Sequence, residues 1–299
     1  MIGAIAFTLA AMVIWAFAGL VIHWGLKNFT EFELLTARFM WALVSYAIWG
    51  LWHNEWFNYI SRLFKSPRIW LLALIYPFGV ISLVFVSFKY APVGLVGLIW
   101  NLAPILAALA GWLFFKERVT TVERLSLVII LVASILLGFV RYPINGEASL
   151  LGVIAGISSV ILWIVYMFLT KRYLKSLPIH SVNIFSYLVG FWAAFFMVWL
   201  LPSSSVDYVV KSLFSWYSIY LGIAATTLAN WFIQKAMYVI EVSEINVFMY
   251  IQNILAIIFE AIFLDKPLTL IQSLLILLIV VGFIINLYGI RKQRNQQPN

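Results

Sequence analysis

The chain has 299 residues, of which 65% are apolar or aromatic and 10% charged; soluble domains carry roughly 25% charged residues, so a water-soluble enzyme or binding domain is excluded as its main body. The formal charge of +8 comes from lysines and arginines placed singly or in small groups between apolar runs, which leaves no basic domain to hold nucleic acid. No cysteine is present, so disulfides, thiolate metal sites and thiol nucleophiles are excluded together.

A bilayer core about 30 Å thick takes about 20 apolar residues per helix. Strands on their own would leave backbone groups unpaired in hydrocarbon. The expected fold is therefore an all-α integral membrane protein. Its ten spans are placed at 3–23, 32–51, 69–88, 93–115, 122–141, 150–170, 180–201, 214–235, 246–264 and 270–290.

The first span has no basic segment before it and no small-residue cleavage site after it, so it reads as a span and not as a removable signal. One of its faces carries Thr8, Ala11 and Trp15. Span two holds an ionisable residue, Arg38, about a turn from its start. Span three is interrupted by Pro77 and Gly79. In span four, NLAPILA at 101–107 places Asn101 and Pro104 on a stripe with Gly97, Ala108 and Gly111. Proline removes a backbone donor and frees the carbonyl four residues earlier, that of Trp100, so Pro104 is expected to kink the helix. Both kinked spans thus fall in the first half of the chain. The small residues of the stripe suit close helix packing as well as a solute path.

Span six repeats the pattern of span one, with Trp163 on a face shared by Gly156, Ser159 and Tyr166. Span eight carries Thr227, Asn230, Trp231 and Gln234, and amides turned to lipid would be costly, so these should point inward. Span nine gives a more polar stripe of Asn246, Tyr250, Asn253, Ile257 and Glu260. Arg38 and Glu260 are within snorkelling reach of headgroups, and lie toward the same side, which permits a pair. Trp52, Trp56 and Trp70 read as interfacial anchors. His23, His53 and His180 are far apart, and no HExxH, GxSxG or Walker-type loop occurs. No enzymatic activity, metal or cofactor is expected.

The two halves resemble each other. NLAPILA at 101–107 aligns with YIQNILA at 250–256, KERVTTVE at 116–123 with DKPLTLIQ at 265–272, and IGAIA at 2–6 with LGVIA at 151–155, all at one offset. Trp15 and Trp163 fall one residue out of register. Five spans per half is odd, so the second copy enters the membrane from the opposite face as an inverted repeat. The expected units are 1–145 and 146–292, followed by a polar tail at 293–299. Of the 19 lysines and arginines, only Lys27, Lys89, Arg141, Lys211 and Lys266 fall on one side; all others except Arg38 fall on the other, which places both termini in the cytoplasm of a cell-membrane protein.

The combination of YAPVG at 90–94, Pro104, KERVT at 116–120 and Arg38 resembles the EamA-type ten-span proteins of the drug/metabolite transporter superfamily. In the second half, Asn253 stands where Pro104 does, and Asp265 and Lys266 about where Glu117 does. The resemblance implies a carrier of small metabolites working by alternating access, with amino-acid exporters among its members and nucleotide sugars and amines among its solutes.

Together these readings give a secondary transporter with its solute site near the midplane, between the repeats. Trp15 and Trp163 are the expected apolar walls, Asn101, Asn230, Tyr250 and Asn253 the hydrogen-bonding groups, Pro77 and Pro104 the kinks, and Arg38 and Glu260 the intramembrane charges, Glu260 as a candidate for ion coupling. A net-neutral site with aromatic walls suits a zwitterion better than a polyphosphate. The partners expected are a small solute, the bilayer, and a proton or other ion, in a monomer or homodimer. Two rivals stand beside amino-acid export. One is an uptake carrier for a quaternary amine, held by cation-π attraction. The other is a lipid-handling or accessory membrane protein.

Overall fold

The computed structural model describes residues 2–50, 64, 66–115, 120–142, 149–173 and 179–296, and every regular element among them is helical. In chain order these are α1 (Ile2–Gly25), α2 (Glu31–Gly50), α3 (Pro67–Tyr90), α4 (Val93–Trp100 and Leu102–Phe115), α5 (Thr121–Arg141), α6 (Leu150–Tyr173), α7 (Ile179–Leu200), the short α8 (Val206–Leu213), α9 (Trp216–Ile219, Tyr220–Leu228 and Ala229–Met237), α10 (Val242–Phe263) and α11 (Leu270–Gln296). Eight of them are long and apolar enough to cross a membrane. The exceptions besides α8 are α2 and α9. Their length is comparable, but α2 carries Glu31, Glu33 and Arg38 and α9 carries Thr226, Thr227, Asn230 and Gln234. Trp52, Trp56, Glu117 and the rest of 116–119 lie outside the described residues.

Local sequence starts several helices by one device. Thr120 and Glu123 form a capping box on α5, with side chain and backbone bonded reciprocally. Thr269 and Gln272 do the same for α11, at 3.1 and 3.3 Å. These four residues occupy matching places in KERVTTVE and DKPLTLIQ, so that part of the internal likeness encodes a helix start. Thr30 and Glu33 repeat the device on α2.

Helix ends fall into two groups. At one end of the bundle, Lys89 near the end of α3 pairs with Glu31 at the start of α2. The Ser149 amide before α6 donates to the Tyr90 carbonyl, and Arg141 at the end of α5 reaches Glu260, Gln272 and the Lys266 carbonyl. Glu33 accepts from the Ser205 amide ahead of α8. The five basic residues set apart by the sequence therefore share one end. At the opposite end Lys171 pairs with Glu241, and Asn286 of α11 bonds Ser126 of α5.

The packing is symmetric between halves. α1 packs on α9 and α10, as α6 packs on α3 and α4; α2 packs on α9, as α7 packs on α3. The pairs α2–α7, α4–α10 and α5–α11 join one half to the other. The outermost pair shows its apolar faces outward, with Leu125, Val128 and Val132 on α5 and Leu274, Leu277 and Ile284 on α11 all exposed. Such a belt belongs against acyl chains.

Helix breaks occur in both halves, which corrects the expectation that kinks are confined to the first. In α3 two helical segments meet in a kink within Leu74–Gly79, around Pro77, with Tyr76 extended. In α4 the break is at Asn101, three residues before Pro104, whose ring prevents regular bonding to Trp100. The second half needs no proline. In α9 the segment Tyr220–Leu228 is π-helical, and the hydroxyls of Thr226 and Thr227 donate to the carbonyls of Leu221 and Gly222, five residues back. In α10 the break is at Phe248.

Candidate functional site

A cavity of about 100 Å³ lies among α1, α2, α3, α4, α6 and α10, room for several waters or a small solute. Helix direction orders its walls. Ile22, Phe88, Val93 and Ala256 lie toward the end where Lys89 and Arg141 sit; Trp15, Tyr76, Trp100, Trp163 and Met249 lie furthest from it. A vestibule of about 690 Å³, lined by His23, Lys27, Lys89, Glu260 and Lys266, opens at that end. Phe88 and Val93 line both spaces, so they form the neck between them.

The far boundary is an aromatic floor. The Trp15 and Trp163 rings meet edge to face at 5.5 Å, Tyr76 meets Trp163 at 5.7 Å, and Trp100 meets Trp163 at 6.1 Å. Two of the three indoles are pinned. Trp15 Nε1 donates to the Ala225 carbonyl at 2.8 Å, and Trp163 Nε1 to Asn246 Oδ1 at 3.2 Å. Ala225 is in the π-helical part of α9, Tyr76 in the kink of α3, and Trp100 and Met249 flank the breaks in α4 and α10. The floor thus stands at the level where four helices are irregular.

The sequence-predicted residues divide into three groups. Trp15, Trp163, Asn253 and Arg38 line the cavity. Asn101 and Asn230 stand behind it and act on lining side chains. Asn253 donates to Asn101 Oδ1, and Asn101 donates in turn to Ser134 Oγ, both at 2.7 Å. Asn230 donates to the Tyr76 hydroxyl and to the Thr226 carbonyl. Tyr250 is fully buried away from the cavity, and its hydroxyl has no hydrogen-bond partner among the described residues. Pro77 adjoins the floor residue Tyr76, and Pro104 lies just past the α4 break.

Neither intramembrane charge snorkels, and the two do not pair. Arg38 is 5% exposed and its Nε donates to Thr226 Oγ1 at 2.6 Å, with the guanidinium 5.7 Å from the Phe85 ring. Glu260 is paired with Arg141 at 3.3 Å and also accepts from the Tyr142 hydroxyl. Arg141 extends further, to Gln272 Oε1 and the Lys266 carbonyl, both at 3.0 Å. This cluster joins α5, α10 and α11 beside the vestibule. Gly94 of YAPVG sits against it: a Cβ there would collide with the Tyr142 hydroxyl and the Glu260 carboxylate.

Several site residues carry no signal that sequence reasoning used. Tyr76 and Trp100 are aromatic residues in apolar runs, and by composition they are indistinguishable from lipid-facing anchors. Gln252 lines the cavity one residue away from the Asn253 stripe. Arg141 read only as one of the charges that set the orientation.

A search of the curated proteins finds no match. A solved structure described as "Crystal structure of protein" is similar, with a TM-score of 0.76 at 20% identity over 96% of this chain and 98% of that one; at that identity the likeness is one of fold. The model of the EamA-like transporter family matches residues 2–139 and again residues 150–288. With the helical bundle, its apolar belt and its cavity among six helices, the double match over nearly the whole chain identifies it as a multi-pass membrane protein that belongs to the EamA-like transporter family.

Proposed function

We propose that the chain is a secondary transporter of ten spans in two inverted five-helix repeats, 1–145 and 146–292, exporting an amino acid across the cell membrane by alternating access. The observation that carries this reading is the closed aromatic floor at the level of the helix breaks. It bounds a cavity whose opposite end, the neck at Phe88 and Val93, adjoins the vestibule on the Lys89–Arg141 side. Irregular backbone in the bilayer is tolerated where it meets protein or a watery cavity, and breaks of this kind accompany midplane sites in carriers built from repeats. Opening the floor while closing the neck exchanges the accessible side.

Inversion is supported by helix direction. α1 runs toward the Lys89–Arg141 end, and α6 starts from it. The exchange of partners between halves described above is what a pseudo-twofold axis in the membrane plane produces. The surplus of basic residues at the opposite end supports cytoplasmic termini. Trp15, Trp163 and Asn253 contact the solute in this reading, while Asn101 and Asn230 position Asn253 and Tyr76. The quaternary-amine alternative is disfavoured by the Arg38 guanidinium in the same cavity, which repels a cation.

Glu260 remains the candidate for ion coupling, in a specific form. Protonation would remove the charge that holds Arg141, and so loosen the tie between α5 and α10 beside the vestibule. Replacement by Gln should abolish the response of transport to a pH gradient; an unchanged response removes this role.

The reading is tested with purified protein in liposomes, loaded with a labelled amino-acid mixture, with and without a pH gradient. Flux above that of protein-free liposomes is expected, reduced about tenfold or more by Trp163→Ala or Asn253→Ala. Flux no greater than that of the empty liposomes contradicts it.

A further inference from the structure

We propose that Arg38 binds a carboxylate of the transported solute while Gln252 and Asn253 accept from its ammonium group, which makes the solute a zwitterionic α-amino acid and rejects amines lacking a carboxylate. This rests on the cavity being the solute site.

Arginine carries five N–H donors and cannot give up its charge. In Arg38 one donor is used, from Nε to Thr226 Oγ1. The two terminal nitrogens have no hydrogen-bond partner among the described residues. The ion pairs there are Lys89–Glu31, Arg141–Glu260 and Lys171–Glu241, so no carboxylate neutralises Arg38. A buried cation inside the membrane almost always finds a partner. Here the unused fork belongs to a residue lining the cavity, and its planar geometry fits a carboxylate through two parallel bonds.

The same cavity offers acceptors without charge. Asn253 Nδ2 is committed to Asn101 Oδ1, and Asn101 Nδ2 to Ser134, which fixes the Asn253 amide and leaves its Oδ1 over. That oxygen and Gln252 Oε1 are buried and have no partner among the described residues. Leaving buried polar groups unpaired is unfavourable. One cationic fork and two carbonyl oxygens match the two ends of a zwitterion. A dicarboxylate would bring a second anion with no cation to meet it.

The test is a binding series on the full chain in nanodiscs, by thermal shift and by competition. Its probes are the twenty α-amino acids, the C-terminal amides of those that bind, and the matching acids without the amino group. Expected is binding of at least one amino acid, with its amide and its des-amino acid each weaker by about tenfold or more, the scale of a hydrogen bond to a charged group. Arg38→Gln should erase the preference for acid over amide, and Arg38→Lys should keep part of it. The wild-type comparison stands even where a variant fails to fold. An amide that binds as well as its acid overturns the role of Arg38 and leaves the transporter reading in place. A des-amino acid that binds as well overturns the role of Gln252 and Asn253. Flux of some other solute in liposomes, with no amino acid binding, overturns the zwitterion assignment while the carrier reading survives.

Discussion

Arg141 and Glu260 are 119 residues apart in the chain, yet their side chains, 4% and 1% exposed, form the most buried ion pair described here. Removing one partner of such a pair leaves an uncompensated buried charge, which costs about 3–5 kcal/mol. Arg141→Gln should therefore lower the thermal midpoint strongly, whereas Arg141→Gln combined with Glu260→Gln should recover most of the loss; a double variant less stable than either single one contradicts the pairing. Asn101→Ala is expected to cost about 0.6–2 kcal/mol, the range for interhelical hydrogen bonds in membranes, and to lower transport by freeing the Asn253 amide. Unchanged stability and flux would remove Asn101 from the set that positions the site. At this scale the sequence was partly legible. Spacing put Trp15, Trp163 and Asn253 on inward faces, because an amide or indole at mid-span has a strong reason to avoid lipid. It could not place Arg141 against Glu260, since nothing local in either segment encodes a contact between α5 and α10. Arg38 was visible as a charge within a span, read as able to snorkel to the headgroups, but its burial and its partner, Thr226, depend on a helix whose rotation only packing fixes.

The helices differ in how closely they approach, and glycine substitutions separate the cases. Gly222, in the π-helical part of α9, is pressed against α2: a Cβ would lie 2.6 Å from the Arg38 carbonyl oxygen and collide with Trp41. Backbone there cannot yield cheaply, so Gly222→Ala should destabilise by about 1–3 kcal/mol. At Gly97 the nearest atoms to an added Cβ, Ala256 Cβ and the Asn253 carbonyl oxygen, are 3.7 Å away. Gly97→Ala should leave the thermal midpoint nearly unchanged. Equal effects at the two positions, read by thermal unfolding in detergent, would contradict the packing of α2 on α9. Element positions followed readily from apolar run length, and the capping boxes on α5 and α11 explain why two of those starts were so distinct. The breaks in α9 and α10 were not legible. Proline announces a kink in sequence, whereas threonine hydroxyls that satisfy π-helical carbonyls look like ordinary small polar residues.

Over the whole molecule, the internal likeness of the halves reappears as an exchange of packing partners, with α1 standing to α9 and α10 as α6 does to α3 and α4. That symmetry gives a carrier two related ways to close around one cavity. In the conformation described, Phe88 and Val93 stand between the cavity and the vestibule, and the aromatic floor bounds the other side. These 299 residues contain no cysteine, and Gly97 lines the cavity with space for a side chain. Gly97→Cys therefore provides a single reporter at the proposed solute site. The most direct test labels this variant in oriented vesicles with a membrane-impermeant maleimide applied from one side or the other. Alternating access predicts reaction from both sides, with labelling from the vestibule side slowed by a bound amino acid. Labelling from the vestibule side alone under every condition would contradict it.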